Sequence, residues 1–283
     1  LRPGWRVLLY IPVLTLTYLV ITLPVMIFQL QLHYGYMQLL QLLAVLVGTW
    51  VCRRFVDKRD WAGFGLRLDR QGLRDIGLGL LLGAALMTGI FLVELVMGWI
   101  TVSGSAWQTR PLEHLIQSFF WRIVVQMTVV AVTEEVIMRG YLLPTLEEGV
   151  GLPWAVAISS SVFGLLHLFN PTAHGWANYV IPLTLTMAGV FLALAYLVRR
   201  TLWLPIALHF AWNVFEYEIF ALTGAAPESA RFLVTEITGP TLWVGLPNSS
   251  FGPEVGVLGV LAMSVGIAVL WRMYRRALVG QDL

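Results

Sequence analysis

The chain of 283 residues has few charged side chains and a single cysteine. Only 12% of its residues are charged, against 58% that are hydrophobic, which is too little charge to cover a water-soluble domain of this length. A formal net charge of +2 gives no basic face dense enough to follow a phosphate backbone, which excludes nucleic acid as a partner. Because Cys52 stands alone, an internal disulfide and a cysteine-based metal cluster are excluded as well.

Long apolar runs account for most of the chain, and each is long enough to cross roughly 30 Å of hydrocarbon. Lipid offers no hydrogen-bond partners to the backbone, and the runs lack the alternation of barrel strands, so we expect helices. The sequence thus predicts an all-α, polytopic membrane bundle of about eight transmembrane helices, a single membrane domain over residues 1–283. The predicted spans are about 5–31, 36–52, 76–102, 115–143, 152–169, 178–198, 202–222 and 255–271.

Basic residues are concentrated on one side of this predicted bundle. Fourteen of the eighteen Lys and Arg residues fall near the N-terminus or after the second, sixth and eighth spans. The opposite loops hold only Arg110, Arg122 and Arg231. Short loops rich in Lys and Arg stay in the cytoplasm, so we expect both termini to be cytoplasmic and the segment of about 223–254 to be an extracytoplasmic loop. The expected location is a bacterial or archaeal inner or plasma membrane, in contact with lipid.

Two adjacent carboxylates lie inside the fourth predicted span, in the run Thr133-Glu134-Glu135-Val136-Ile137-Met138-Arg139. Residues four apart share a helix face, whereas neighbours diverge by about 100°, so Glu135 can pair with Arg139 and Glu134 is left as the free carboxylate. Ionisable residues within spans usually face the bundle interior or a water-filled cavity, which makes this position a candidate for function. The alternative is a buried ion-pair network that only fixes helix packing.

Two further spans carry polar side chains at helical spacing. Phe163 and His167 lie four residues apart in the fifth span, and His209 and Asn213 lie four apart in the seventh. Each pair alone is compatible with packing or interhelical hydrogen bonding. At roughly 1.5 Å per residue, however, Glu134, His167, His209 and Asn213 all come near mid-membrane, so they can meet in one cavity. By contrast, we expect Glu94, Glu216 and Glu218 at the extracytoplasmic membrane interface.

Such a cavity has the parts for hydrolysing an amide. A carboxylate can take a proton from water, a histidine can hold that water or protonate the leaving amine, and a His/Asn pair can stabilise the oxyanion. The chain has neither Gly-x-Ser-x-Gly nor His-Glu-x-x-His, so no nucleophile motif competes with this interpretation.

The motifs resemble those of the CPBP (CAAX protease and bacteriocin-processing, or Abi) intramembrane endopeptidases. That family's pattern, Glu-Glu-x3-Arg, Phe-x3-His and His-x3-Asn/Asp, is matched in order by Glu134-Glu135-x3-Arg139, Phe163-x3-His167 and His209-x3-Asn213. The resemblance implies a family-like catalytic core over about 115–222 that acts as a glutamic intramembrane protease. Glu134 and His167 would activate water, His209 and Asn213 would form the oxyanion hole, Glu135 and Arg139 would support them as an ion pair, and Phe163 would pack beside the site.

No cofactor is expected from this resemblance, although two alternatives stay open. Glu134, His167 and His209 would also make a zinc site with an open water position, so a zinc-dependent form of the same hydrolysis is one of them. The other is a proton-coupled membrane transporter, since intramembrane Glu and His residues also serve proton relays. The expected substrate is a peptide or membrane-anchored protein, and the sequence does not decide whether it is lipidated.

Overall fold

The computed structural model describes residues 1–108, 110–170, 177–224, 231–246 and 249–279. The predicted all-α, polytopic bundle is confirmed: seven helices in these ranges are long and apolar enough to cross a membrane. They are α1 (Pro3–Ile27), α2 (Tyr34–Val56), α3 (Arg70–Val96), α4 (Leu112–Val150), α5 (Leu152–Phe169), α6 (Ala177–Arg199) and α9 (Val257–Val279). Between α6 and α9 lie the shorter helices α7 (Trp203–Asn213, continued as a wide π-turn over Val214–Ile219) and α8 (Thr241–Val244).

Helix α7 stands where the seventh span was predicted, at 202–222. It is shorter than the seven long helices and packs against α3, α4 and α6, with Leu204–Ala207, Leu208, His209, Ala211 and Trp212 all buried. It packs closely on α3 through two glycines. A Cβ atom on Gly79 would lie 2.6 Å from the Leu204 carbonyl oxygen, and one on Gly83 would lie 2.7 Å from that of Leu208. Small residues thus bring the two backbones together, as is typical of helix contacts in membranes.

One end of the bundle is held by ion pairs and caps, and we call it the basic end. Arg6 Nε lies 2.6 Å from Asp57 Oδ1, and Arg199 Nε lies 3.0 Å from the buried Asp75 Oδ1. At the start of α3, the backbone N–H groups of Gly72 and Gln71 donate to the Asp69 carboxylate, which caps the helix and lowers the pKa of that carboxyl. The α1 N-terminus, the α2–α3 loop and the α6–α7 turn therefore meet at this end.

The opposite end contains a small sheet that the helical prediction missed. Strand β1 (Ile100–Ser105) pairs antiparallel with β2 (Leu233–Ile237), with Ile100 opposite Ile237 and a register shift between Val102 and Gly104. The third span, predicted to reach 102, therefore ends at Val96. The predicted loop of about 223–254 contains β2 and α8, and its residues 225–230 and 247–248 lie outside the described ranges.

The three glutamates expected at the extracytoplasmic membrane interface are buried within the protein. Glu94, Glu216 and Glu218 are at most 1% exposed. The sequence gives depth along a helix but not which elements pack over it, so burial by distant segments was missed.

Candidate active site

A cavity of about 450 Å³ lies between α4, α5, α6 and α7. Five of the seven residues singled out from the sequence line it: Glu134, Phe163, His167, His209 and Asn213. The other two, Glu135 and Arg139, lie behind its wall and are 0% and 1% exposed. The three motifs thus all contribute to this one cavity, although they lie on three different helices.

The adjacent carboxylates of α4 have opposite surroundings. Glu134 keeps 32% of its side chain exposed, whereas the side chain of Glu135 is fully buried. The regular helix ends at Glu135 and continues as a wide π-turn over Val136–Leu142, a type of irregularity often found at functional sites. Helix geometry therefore directs one carboxylate into the cavity and the other into the protein.

Glu135 is the centre of a buried network. Its Oε1 atom accepts from Arg139 Nη1 at 2.8 Å and lies 3.0 Å from His209 Nδ1. Arg139 Nη2 donates to the Gly189 carbonyl oxygen of α6 at 2.9 Å. Because a carboxylate only accepts, the His209 contact requires a proton on Nδ1. The ion pair thus fixes the His209 ring, and through it joins α4, α6 and α7.

The second nitrogen of His209 faces the other carboxylate. His209 Nε2 lies 3.9 Å from Glu134 Oε2, an oxygen that is buried and has no hydrogen-bond partner among the residues the structure describes. With Nδ1 committed to Glu135, Nε2 can donate only when the ring carries both protons.

His167 has its tautomer fixed by its own helix. Its Nδ1 lies 2.8 Å from the Phe163 carbonyl oxygen at the C-terminal end of α5, and a carbonyl only accepts, so Nδ1 carries the proton. In the neutral ring, Nε2 then has a free lone pair that can accept a proton from water. The Phe163 ring packs between three site groups, 4.8 Å from the Arg139 guanidinium, 4.7 Å from the His167 ring and 6.3 Å from the His209 ring.

The proposed zinc ligands do not form a ligand set. Within the described ranges, no three His, Cys, Asp or Glu side chains lie close enough together to hold a metal ion. Glu134, His167 and His209 line the cavity separately, and His209 uses its Nδ1 on Glu135. The geometry therefore gives the zinc alternative no support.

Several further polar residues of the cavity were missed from the sequence, among them Arg122, Gln126, Tyr217 and Glu254. A recognisable signal was present in the spacing. Residues 122, 126, 130 and 134 follow one another at intervals of four on α4, so Arg122 and Gln126 share a helix face with Glu134. Tyr217 likewise follows Asn213 at an interval of four. Arg122 Nη2 lies 2.7 Å from Glu218 Oε1, which bridges α4 and the end of α7. Glu254 had no such signal, since it reaches the cavity from outside the motif helices.

Glu254 is paired with the buried Glu216. The backbone N–H of Gly252 lies 3.2 Å from Glu216 Oε1 and 3.2 Å from Glu254 Oε2, and the two carboxyl groups contact each other. Carboxyl groups this close repel each other when both are ionised.

A family model matches the segment of the chain that contributes most of the cavity lining. Residues 116–215 match the family described as type II CAAX prenyl endopeptidase, Rce1-like. This segment is similar to the Rce1-like family. The match includes all three motifs, from Glu134 to Asn213, and agrees with the resemblance found in the sequence. Among curated proteins and among solved structures, nothing matches the chain.

The similarity to the Rce1-like family and the seven long apolar helices establish the general class of the protein. It is an integral membrane protein with a peptidase domain of the CAAX protease type. Its substrate is accordingly a peptide or a membrane protein within the membrane.

Proposed function

We propose that the protein is a glutamic intramembrane endopeptidase in which Glu134 and His167 activate the attacking water. The observation that carries this proposal is the different surroundings of two adjacent carboxylates. Glu135 is paired with Arg139 and is fully buried, whereas Glu134 lines the cavity with 32% of its side chain exposed and lies 3.9 Å from His209 Nε2. A partly exposed carboxylate and a histidine with an unprotonated Nε2, both lining one cavity, are groups that general-base catalysis can use.

His209 and Asn213 supply the oxyanion hole in this proposal. They lie four residues apart on α7 and both line the cavity, so both can donate to one oxygen. A doubly protonated His209 offers a charged donor, which stabilises a developing negative charge more strongly than a neutral one. Glu135 and Arg139 act through His209, whose ring they hold in place, and do not contact the substrate.

The reaction then proceeds by direct attack of water on the peptide carbonyl. Glu134 takes one proton from water while the new carbon–oxygen bond forms, and the carbonyl oxygen becomes an oxyanion held by His209 and Asn213. The carbon–nitrogen bond breaks as the leaving amine receives that proton from Glu134, either directly or through Nε2 of His167. This proposal needs no metal ion and no covalent intermediate.

The test is a cleavage assay on the purified protein in lipid nanodiscs. Internally quenched peptides, each made with and without a farnesyl group, serve as substrates, and mass spectrometry locates the cut. We expect Glu134→Gln to lower kcat by about 10² to 10⁴, the range for loss of a general base. Glu94→Gln is the matched control, because Glu94 is also a glutamate within a membrane helix but does not line the cavity. Equal activity of the two variants would contradict the proposed role of Glu134.

A further inference from the structure

The cavity is open at one end and closed at the other. Its lining runs along α4 from Glu134 through Val130 and Gln126 to Arg122, roughly 18 Å at 1.5 Å per residue. At the Arg122 end it is lined by Tyr34, which is 65% exposed, and the Arg122 side chain itself is 19% exposed. We call this end, defined by Tyr34, Arg122 and Tyr217, the mouth.

The opposite end is a packed floor. Leu208, Phe191 and Met263 line it and are 1%, 2% and 1% exposed. Behind the floor lie Glu135 and Arg139, which are almost completely buried and are hydrogen-bonded to His209 and to the Gly189 carbonyl oxygen. A peptide that reaches Glu134 from water must therefore pass the mouth.

The mouth and the basic end lie at opposite ends of the bundle. From Glu134, α4 runs one way to Arg122 at the mouth and the other way to Glu148, which binds Arg6 and Arg59 at the basic end. Helix α9 begins beside Glu254 near the mouth, so its C-terminal arginines also point to the basic end. The mouth side has only Arg110, Arg122 and Arg231, and Arg122 is already paired with Glu218.

We infer that the mouth opens to the extracytoplasmic face, so that the substrate is a peptide segment presented on that face. The physical basis is the retention of Lys- and Arg-rich short loops in the cytoplasm, which places the basic end there. A substrate peptide presented only on the cytoplasmic side would face the packed floor and would not reach Glu134 through the mouth. This inference rests on the proposed function for its substrate, but the direction of the mouth is independent of catalysis.

Cysteine labelling tests the direction of the mouth. Cys52 is the only cysteine in the sequence and is 0% exposed, so we expect the unmodified protein to give no labelling signal. Gln126→Cys and Val130→Cys place a thiol in the cavity. Glu113→Cys, at an 84% exposed side chain near the start of α4, reports the mouth side, and Arg54→Cys reports the basic end. A membrane-impermeant thiol reagent is applied to spheroplasts, which expose the outer face, and to inverted vesicles, which expose the inner face.

We expect the thiols at 126, 130 and 113 to be modified in spheroplasts and not in inverted vesicles, and the thiol at 54 to show the reverse. Modification of position 126 only in inverted vesicles would overturn the inference, and so would its protection in both preparations. Gel filtration of each variant verifies that it is folded. Repeating the labelling with Glu134→Gln separates the two proposals, because the thiols report access whether or not the enzyme cuts.

Discussion

At the scale of single residues, environment decides what each carboxyl group can do. Glu134 and Glu135 are chemically identical neighbours, yet one lines a cavity and the other is held between Arg139 and His209. A buried charge is tolerated only when it is paired, so Glu135 is committed to its partners, whereas Glu134 is available for chemistry.

Breaking the Glu135–Arg139 pair should destabilise the protein. Both side chains are almost completely buried, so removing one leaves the other uncompensated, and we expect Glu135→Leu or Arg139→Leu to cost about 3–5 kcal/mol. The double variant Glu135→Leu/Arg139→Leu should recover part of that loss, because no buried charge remains. Thermal unfolding in nanodiscs measures all three, and additive losses would show that the two side chains do not act as a pair.

Glu94 should behave in the opposite way. Its carboxyl group is 1% exposed, and neither oxygen has a hydrogen-bond partner among the residues described. Replacement by leucine, which is similar in volume, removes an unsatisfied polar group that costs about 1–3 kcal/mol. We therefore expect Glu94→Leu to raise the melting temperature, and a lower one would mean that the carboxyl group has a stabilising partner.

At the scale of elements, the contact between α3 and α7 positions the oxyanion helix. Gly79 and Gly83 face the backbone of α7 so closely that a Cβ atom would collide with carbonyl oxygens. His209 and Asn213 lie on that helix, so a displacement of α7 would shift both proposed oxyanion donors together. The packing of α3 is thus linked to the site although α3 contributes no lining residue.

A matched pair of glycines on α3 tests this link. Gly79→Ala places its methyl group 2.6 Å from the Leu204 carbonyl oxygen, and overpacking of this kind costs about 1–3 kcal/mol. Gly77→Ala, two residues away, meets nothing within 4 Å and should be neutral or stabilising through helix propensity. We expect only Gly79→Ala to lower both the melting temperature and kcat. Equal effects of the two substitutions would contradict the proposed role of the contact.

Much of this architecture could be predicted from the sequence because helices in lipid are specified locally. Hydrophobic length located the long helices, and spacing of four placed Glu135 and Arg139 on one face. The β1–β2 pair could not be predicted, since Ile100 and Ile237 are 137 residues apart and neither strand has a distinctive pattern. The wide π-turns of α4 and α7 also lack a sequence signal that we can identify.

The candidate site was predictable for a related reason. Its motif residues carry their spacing within single helices, so they could be found before the helices were packed together. Arg122 and Gln126 follow the same spacing and could have been found by extending the Glu134 face. Glu254 and the burial of Glu216 depend on a segment that folds back from the start of α9, which is a tertiary property.

At the scale of the whole molecule, the bundle keeps a polar cavity inside an apolar protein and closes it on one side. The proposed chemistry uses side chains alone. We therefore expect prolonged treatment with EDTA and 1,10-phenanthroline, followed by gel filtration, to leave the cleavage rate unchanged. Loss of activity that returns on addition of zinc would instead establish the metal-dependent alternative.

The most direct test of the account is to measure kcat and the melting temperature of Glu134→Gln and Glu135→Gln side by side. In the proposed mechanism, Glu134 acts in catalysis and Glu135 positions His209. This mechanism predicts that Glu134→Gln loses cleavage while keeping the melting temperature of the unmodified protein, and that Glu135→Gln lowers the melting temperature. Normal cleavage by Glu134→Gln, together with an inactive but fully stable Glu135→Gln protein, would contradict it.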